Sequence, residues 1–236
     1  MPAPRLTRPA LRLGLLLAGL AACAPPGGQD GPGGAPPAGP AAAEQRLARM
    51  SAAAARGAWD AVAEEPLPAC GGPADKPCAE AQALRARACR RLAASAPADR
   101  RAAYRDCAVA AGQAALAAGG ANGQGERTAW REELLAALYD RIAVTPRASI
   151  CPDTDLMRAE ADILLGEAPG NTSARLYGAS ARMLGVSVAC AAEDRRCADL
   201  AEAARLLTPP LPEPRWAQTL EGVRTLQRVV VGCPEA

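Results

Sequence analysis

Eight cysteines, Cys70, Cys78, Cys89, Cys107, Cys151, Cys190, Cys197 and Cys233, are spread through the C-terminal two thirds of this chain, and a ninth, Cys23, stands far upstream. A set of this size either ligates metal or forms disulfides. The chain contains no histidine, and no two of its cysteines are spaced C-x-x-C. The usual Cys/His zinc spacings are therefore missing, and no metal or other cofactor is expected. Eight is an even number, so four disulfides are the expectation, provided the chain reaches an oxidising compartment.

The N-terminus supplies that condition. Residues 1–12 carry Arg5, Arg8 and Arg12 and no acid, and Leu13–Leu20 is a short apolar run. A basic head, a short apolar stretch and small residues at its end mark a secretory signal. The run is much shorter than the roughly 20 apolar residues that span a bilayer. It closes on Leu20-Ala21-Ala22-Cys23, which resembles the lipobox of bacterial lipoproteins. The resemblance covers about the first 23 residues. It implies a diacylglyceryl group on the Cys23 thiol, cleavage before Cys23 and acylation of the new amine. Residues 1–22 are then a signal peptide, and the protein is held in the cell envelope by lipid, with several acyl chains anchoring more firmly than one. Ala24, rather than an acid, follows the cysteine; in a Gram-negative cell the family's sorting rule then favours the outer membrane, facing the periplasm.

Residues 24–43, APPGGQDGPGGAPPAGPAAA, have no core-forming side chains, so residues 23–43 read as a lipidated cysteine and an unfolded tether. At about 3 Å per residue when extended, such a spacer holds a domain tens of ångströms from the bilayer. Residues 44–236 are long enough for one domain. Loss of the three signal arginines leaves 24 basic against 25 acidic residues, a net charge of −1. No basic surplus points to nucleic acid.

The domain is alanine-rich and lacks phenylalanine, with six aromatic residues in all. Alanine is the strongest helix former, and β-branched runs with hairpin turns are missing. The expected fold is all-α, with seven or eight short helices. The first spans about 43–64. Others follow near 77–94, 97–118, 126–144 and 152–168. A sixth, near 172–189, is apolar on most sides and so is expected at the centre, with Asn171 as its N-cap. The last two lie near 194–207 and 215–231. The breaks fall at Pro66, Gly119–Gly125, Pro169-Gly170 and Pro209–Pro214.

Short helices in series suggest stacked αα-hairpins, with a closed bundle as the alternative. Pro169–Gly185 resembles the first helix of a tetratricopeptide repeat. Pro169-Gly170-Asn171 leads in, Tyr177-Gly178 stands where Leu-Gly is usual, and Gly185 lies seven residues on. The likeness covers about 17 residues, and no segment carries the full signature. Helix geometry then suggests disulfide pairs. Cys89 and Cys107 flank the turn at Ala96-Pro97, offset by roughly 4–5 Å at about 1.5 Å per residue. Cys190 and Cys197 flank Glu193-Asp194, Cys70 and Cys78 flank Gly71-Gly72-Pro73, and Cys151 is left for Cys233.

No catalytic motif stands out. Without histidine, Ser-His-Asp and Cys-His mechanisms are unavailable within the chain. There is no G-x-x-x-x-G-K-[ST] phosphate loop. The carboxylate pairs Glu132/Glu133, Glu160/Asp162 and Asp153/Asp155 could serve acid–base chemistry. At helix ends beside Arg131 and Arg158, solvated and structural roles fit them better. Trp130, Tyr177 and Trp216 are expected in the core, and a groove in which Tyr104 or Tyr139 grips a partner is the lesser alternative for those two. The expected function is non-catalytic: a membrane-anchored interaction module acting as an adaptor or assembly factor on an envelope protein partner. A small-molecule-binding lipoprotein accessory to a transporter is the alternative. A cell-wall enzyme using paired carboxylates ranks third.

Overall fold

The computed structural model describes residues 40–229 and Cys233. Cys23, the signal sequence and residues 24–39 lie outside the described residues. The described part is all-α, with nine α-helices where seven or eight were expected. They are α1 Pro40–Ala55, α2 Trp59–Glu64, α3 Lys76–Ser95, α4 Ala98–Ala118, α5 Gln124–Ile142, α6 Cys151–Glu167, α7 Thr172–Ser187, α8 Arg196–Leu206 and α9 Pro214–Val229. The extra helix comes from Gly57. Its φ of 75° ends α1 in the left-handed region, and the Gly57 and Ala58 amides cap the last turn by donating to Ala54 O and Ala53 O. The stretch expected as one helix is therefore two. Its start also moves: α1 begins at Pro40, inside the expected tether, because proline is tolerated in a first turn and three alanines follow it.

Short connections fold each helix back on its predecessor, so α3 pairs with α4, α6 with α7, and α8 with α9. The odd-numbered helices also touch one another in order, α1 on α3, α3 on α5, α5 on α7 and α7 on α9. Helices α4, α6 and α8 each bridge two successive odd helices from the other side. Among the described residues α1 does not pack substantially on α8 or α9. The domain is a two-layer stack of hairpins, and the closed bundle is set aside.

Helix α7 is central, as its apolar sequence predicts. It packs on α5, α6, α8 and α9. Asn171 caps it by accepting from the Ala174 amide at 2.8 Å. Ala174 and Ala181 belong to a core shared with α1–α6, while Leu176, Ala179 and Val186 belong to a second core with α8 and α9. Gly178 lets α7 approach its neighbours closely: a Cβ there would sit 3.3 Å from Ala161 Cβ and 3.4 Å from a Leu206 methyl. In the second core Trp216 is fully buried and donates its indole N–H to Leu207 O at 2.8 Å.

All eight cysteines form disulfides, and two of the four expected pairs are correct. Cys70–Cys78 closes the loop entering α3, where Asp75 caps the helix by accepting from the Cys78 amide and also accepts from the Gly71 amide. Cys89–Cys107 joins α3 to α4. The other expected pairs, Cys190–Cys197 and Cys151–Cys233, are replaced by Cys151–Cys190 and Cys197–Cys233. The reason is the hairpin geometry. Folding α7 back on α6 brings the end of α7 to the start of α6, where Cys151 is the first helical residue. Folding α9 back on α8 likewise brings Cys233 to the first turn of α8, where Cys197 sits. Cys190 and Cys197 are close in sequence but staple different hairpins.

Peptide mapping without reduction should return the pairs 70–78, 89–107, 151–190 and 197–233, and a Cys190–Cys197 peptide would contradict the assignment. Replacing Cys151 and Cys190 together by serine opens a loop with a sequence separation of 39. The chain-entropy relation puts the cost at about 4 kcal/mol, measurable by urea unfolding.

Candidate functional site

The carboxylates singled out as acid–base candidates are, with one exception, held by other side chains. Arg131, nearly buried, reaches from α5 to two acids of α6, Glu160 at 2.9 Å and Glu167 at 2.9 Å. Arg182 of α7 donates to Asp162 at 2.7 Å. Arg141 of α5 makes a two-pronged pair with Asp153 and also reaches Asp106 of α4. Glu133 accepts from Arg90 of α3 at 2.6 Å, and Glu132 from Asn171 at 2.6 Å. Arg158 of α6 meets the buried Asp199 of α8. Only Asp155, an exposed residue, has no side-chain partner among the described residues. Most of these pairs join two different helices, so their first effect is to hold the stack together.

The aromatic residues divide differently from expectation. Trp216 is core, as expected. Trp130 is half-buried and lies over Gly119, where a Cβ would come within 2.6 Å of its ring. Tyr104, on α4, is half-buried against the first core. It belongs to the even-numbered layer, whereas Tyr139 and Tyr177 are carried by the odd-numbered helices α5 and α7. Tyr177, expected in the core, is only half-buried. It meets Tyr139 of α5 with ring centroids 5.6 Å apart and planes tilted by 53°. Arg215, in the first turn of α9, holds its guanidinium 5.9 Å from the Tyr139 ring centroid. Arg90 of α3, bonded to Glu133, lies 3.6 Å from Asp140. Four of the odd-numbered helices, α3, α5, α7 and α9, thus bring two tyrosines, two arginines and two acids to one face.

Burial is the main cause that pushes the Tyr177 hydroxyl above its ordinary pKa, with Arg215, Asp140 and Arg90 close enough to act on it electrostatically. The hydrogen bond to Glu133 holds the Arg90 guanidinium charged more firmly than usual. Arg215 is exposed and has no carboxylate partner among the described residues. Tyrosine and arginine are the side chains that most often dominate binding energy at protein interfaces. Only Tyr139 was legible as a surface candidate. Arg90 and Arg215 are far apart in sequence and look like any solvated helix arginine until the stack brings them together.

A separate cavity of about 300 Å³ opens where α6 ends, α7 begins and α8 ends. Leu165, Pro169, Arg175, Arg205, Leu206 and Thr208 line it. Among the described residues no helix is long and apolar enough to cross a membrane. Comparison with known proteins gives no match: no family model, no curated protein and no solved structure corresponds to this chain.

Two measurements check this geometry. In a Tyr104→Phe/Tyr139→Phe variant, the remaining tyrosine should titrate above pH 10.0 when followed by phenolate absorbance. The folded state holds that proton more tightly than the unfolded chain does. This group's contribution to stability is therefore present below the ordinary tyrosine pKa and lost as pH rises through the folded value. Replacing Arg131 by Met keeps the stem but leaves Glu160 and Glu167 without their partner. Urea unfolding should show a loss of about 1–2 kcal/mol, below the fully buried range because both acids keep access to water.

Proposed function

We propose that the chain is an envelope lipoprotein, anchored through lipid on Cys23, whose helical domain holds a partner protein on the face shared by α3, α5, α7 and α9. In this reading the domain is an adaptor or assembly factor and does no chemistry of its own. The observation that carries it is the convergence of Tyr139, Tyr177, Arg90 and Arg215 from four successive helices of one layer. Half-buried aromatic rings offer contact area at little entropic cost, and an arginine without a carboxylate partner is available to a partner's acid. The four disulfides fit an exported protein, and the lipobox supplies an anchor that needs no membrane-spanning helix. Two further features fit as well: most carboxylates suited to acid–base work are tied to arginines, and all eight domain cysteines are paired in disulfides.

A second reading, binding of a small molecule, has one observation in its favour, the cavity beside Arg175. Its lining includes none of the tyrosine-face residues, so the two readings do not compete for them.

Two experiments test the main reading. Cys23→Ser should move the protein from the membrane fraction to the soluble fraction and abolish labelling by palmitate; unchanged sedimentation and labelling would refute the anchor. Crosslinking in intact envelopes should recover one defined protein partner with the wild-type chain, and a Tyr177→Ala/Arg215→Glu variant should lose it by tenfold or more. Recovery of no partner, or equal recovery by the variant, would refute the proposed face.

A further inference from the structure

The cavity at the ends of α6, α7 and α8 is built from two different kinds of wall. Leu165 of α6, Pro169 of the following turn and Leu206 of α8 form an apolar side. Arg175 of α7 and Arg205 of α8 form a cationic side, with Thr208 at its edge. The half-buried Arg175 and the exposed Arg205 differ from the arginines that clasp the helices together. Arg131, Arg141, Arg158 and Arg182 each meet at least one carboxylate on another helix.

Arg175 meets none among the described residues. Its Nε donates to Leu206 O and one Nη to Thr208 O, both at 2.7 Å, so it closes the C-terminal end of α8. Its guanidinium rests 5.0 Å from the centroid of the buried Trp216 ring. That stacking and those two bonds fix the plane of the group in place. They neutralise no charge, and Nη1 has no acceptor among the described residues. Arg205 is turned to the same space. Its Nε and Nη2 both donate to Glu202 at 2.6 Å, which leaves its Nη1 without an acceptor among the described residues. The hydrogen bond from Arg205 pulls the Glu202 carboxyl below its ordinary range, so that pair stays ionised and internally balanced. The cavity wall therefore carries one positive charge in excess, on a guanidinium held rigid before any ligand arrives. The Thr208 hydroxyl donates to Ala204 O, which leaves its oxygen free to accept.

We propose that this cavity binds a small carboxylate with an apolar tail, the carboxylate between Arg175 and Arg205 and the tail against Leu165, Pro169 and Leu206. A guanidinium whose fork is partly free pairs naturally with a planar carboxylate. A volume of about 300 Å³ is at the small end of known ligand sites, which suits a molecule of a few carbons. The single excess charge favours a monoanion over phosphate, whose second charge would find no partner. The site shares no lining residue with the tyrosine face.

The test is calorimetry on the full chain with its disulfides formed, using three probes: hexanoate, its neutral isostere hexanamide, and inorganic phosphate. Hexanoate should bind saturably at one site per chain and at least tenfold more tightly than either other probe. Arg205→Gln, a change at an exposed residue, should weaken hexanoate by about tenfold while leaving the thermal melt near that of the wild type. Arg175→Lys, which keeps the charge but loses the fork, should weaken it similarly and serves as the second variant, since larger changes at Arg175 free the end of α8. Absence of saturable hexanoate binding at 10 mM (roughly the weakest affinity a charge-paired small site would show) would overturn the proposal. So would equal binding of hexanoate and hexanamide, tighter binding of phosphate, or full affinity in Arg205→Gln.

Discussion

An alanine side chain buries a single methyl group, and at about 25 cal/mol per Å² of apolar surface a helix faced with alanine gains little from packing. What alanine allows instead is close approach. Helices α3 and α4 carry Ala81, Ala88, Ala93, Ala108, Ala111 and Ala115 into their buried surfaces, with no phenylalanine anywhere in the chain. Such an interface is tight but has few large side chains to fix its register. The larger side chains that do exist, among them Leu134, Leu135 and Leu138 of α5 and Trp216 of α9, sit one or two to a helix turn. Cross-links of other kinds then carry the specificity. One disulfide staples each of the three main hairpins, and arginine–carboxylate pairs join α5 to α6, α6 to α7 and α6 to α8. The arginine stems also cover apolar surface that alanine leaves thin.

This division of labour explains which parts of the fold were legible in the sequence. Helix positions were, because alanine runs, prolines and the glycine-rich break after α4 act locally. So was the centrality of α7, since a helix apolar on most sides has no face to give to water. Gly57 was not read as a break, because a lone glycine among alanines resembles a tolerated interior residue until its positive φ is seen. The disulfides show the same boundary. Cys70–Cys78 and Cys89–Cys107 span single turns, and local geometry decides them. Cys151–Cys190 and Cys197–Cys233 depend on which helix folds back on which. Sequence proximity of Cys190 to Cys197 is no guide when the short segment between them leads from one hairpin into the next.

The candidate sites fell further from view, for a related reason. Tyr139 could be marked as a surface aromatic, but Tyr177 was assigned to the core on the strength of its apolar neighbours. In fact α7 is buried on several sides and open on one, and Tyr177 lies at that opening beside Tyr139. Arg90, Arg215 and Arg175 carried no local signal. Each becomes distinctive only through what it does or does not meet: Arg90 has Glu133 and Asp140, whereas Arg215 and Arg175 have no carboxylate among the described residues. Arg215 and Arg175 each face an aromatic ring instead of an acid, as Arg91 does over Trp59, and what sets Arg175 apart is that it also lines a cavity.

The two layers of the stack therefore have different characters. Ion pairs that tie α6 to α5, α7 and α8 draw most interior carboxylates toward the side of the even-numbered helices. The odd-numbered side keeps its helices in register through direct contact and through Arg90–Glu133 and Glu132–Asn171, which run from helix to helix along the layer. A binding face assembled from four helices would ordinarily lose affinity to the cost of ordering them against one another. Here the staples and clasps on the opposite side have already set that order, so the tyrosines and Arg215 are presented in a fixed arrangement. On the proposed reading, a partner meeting this face would need to order little beyond itself, because the rigid stack carries that cost before binding.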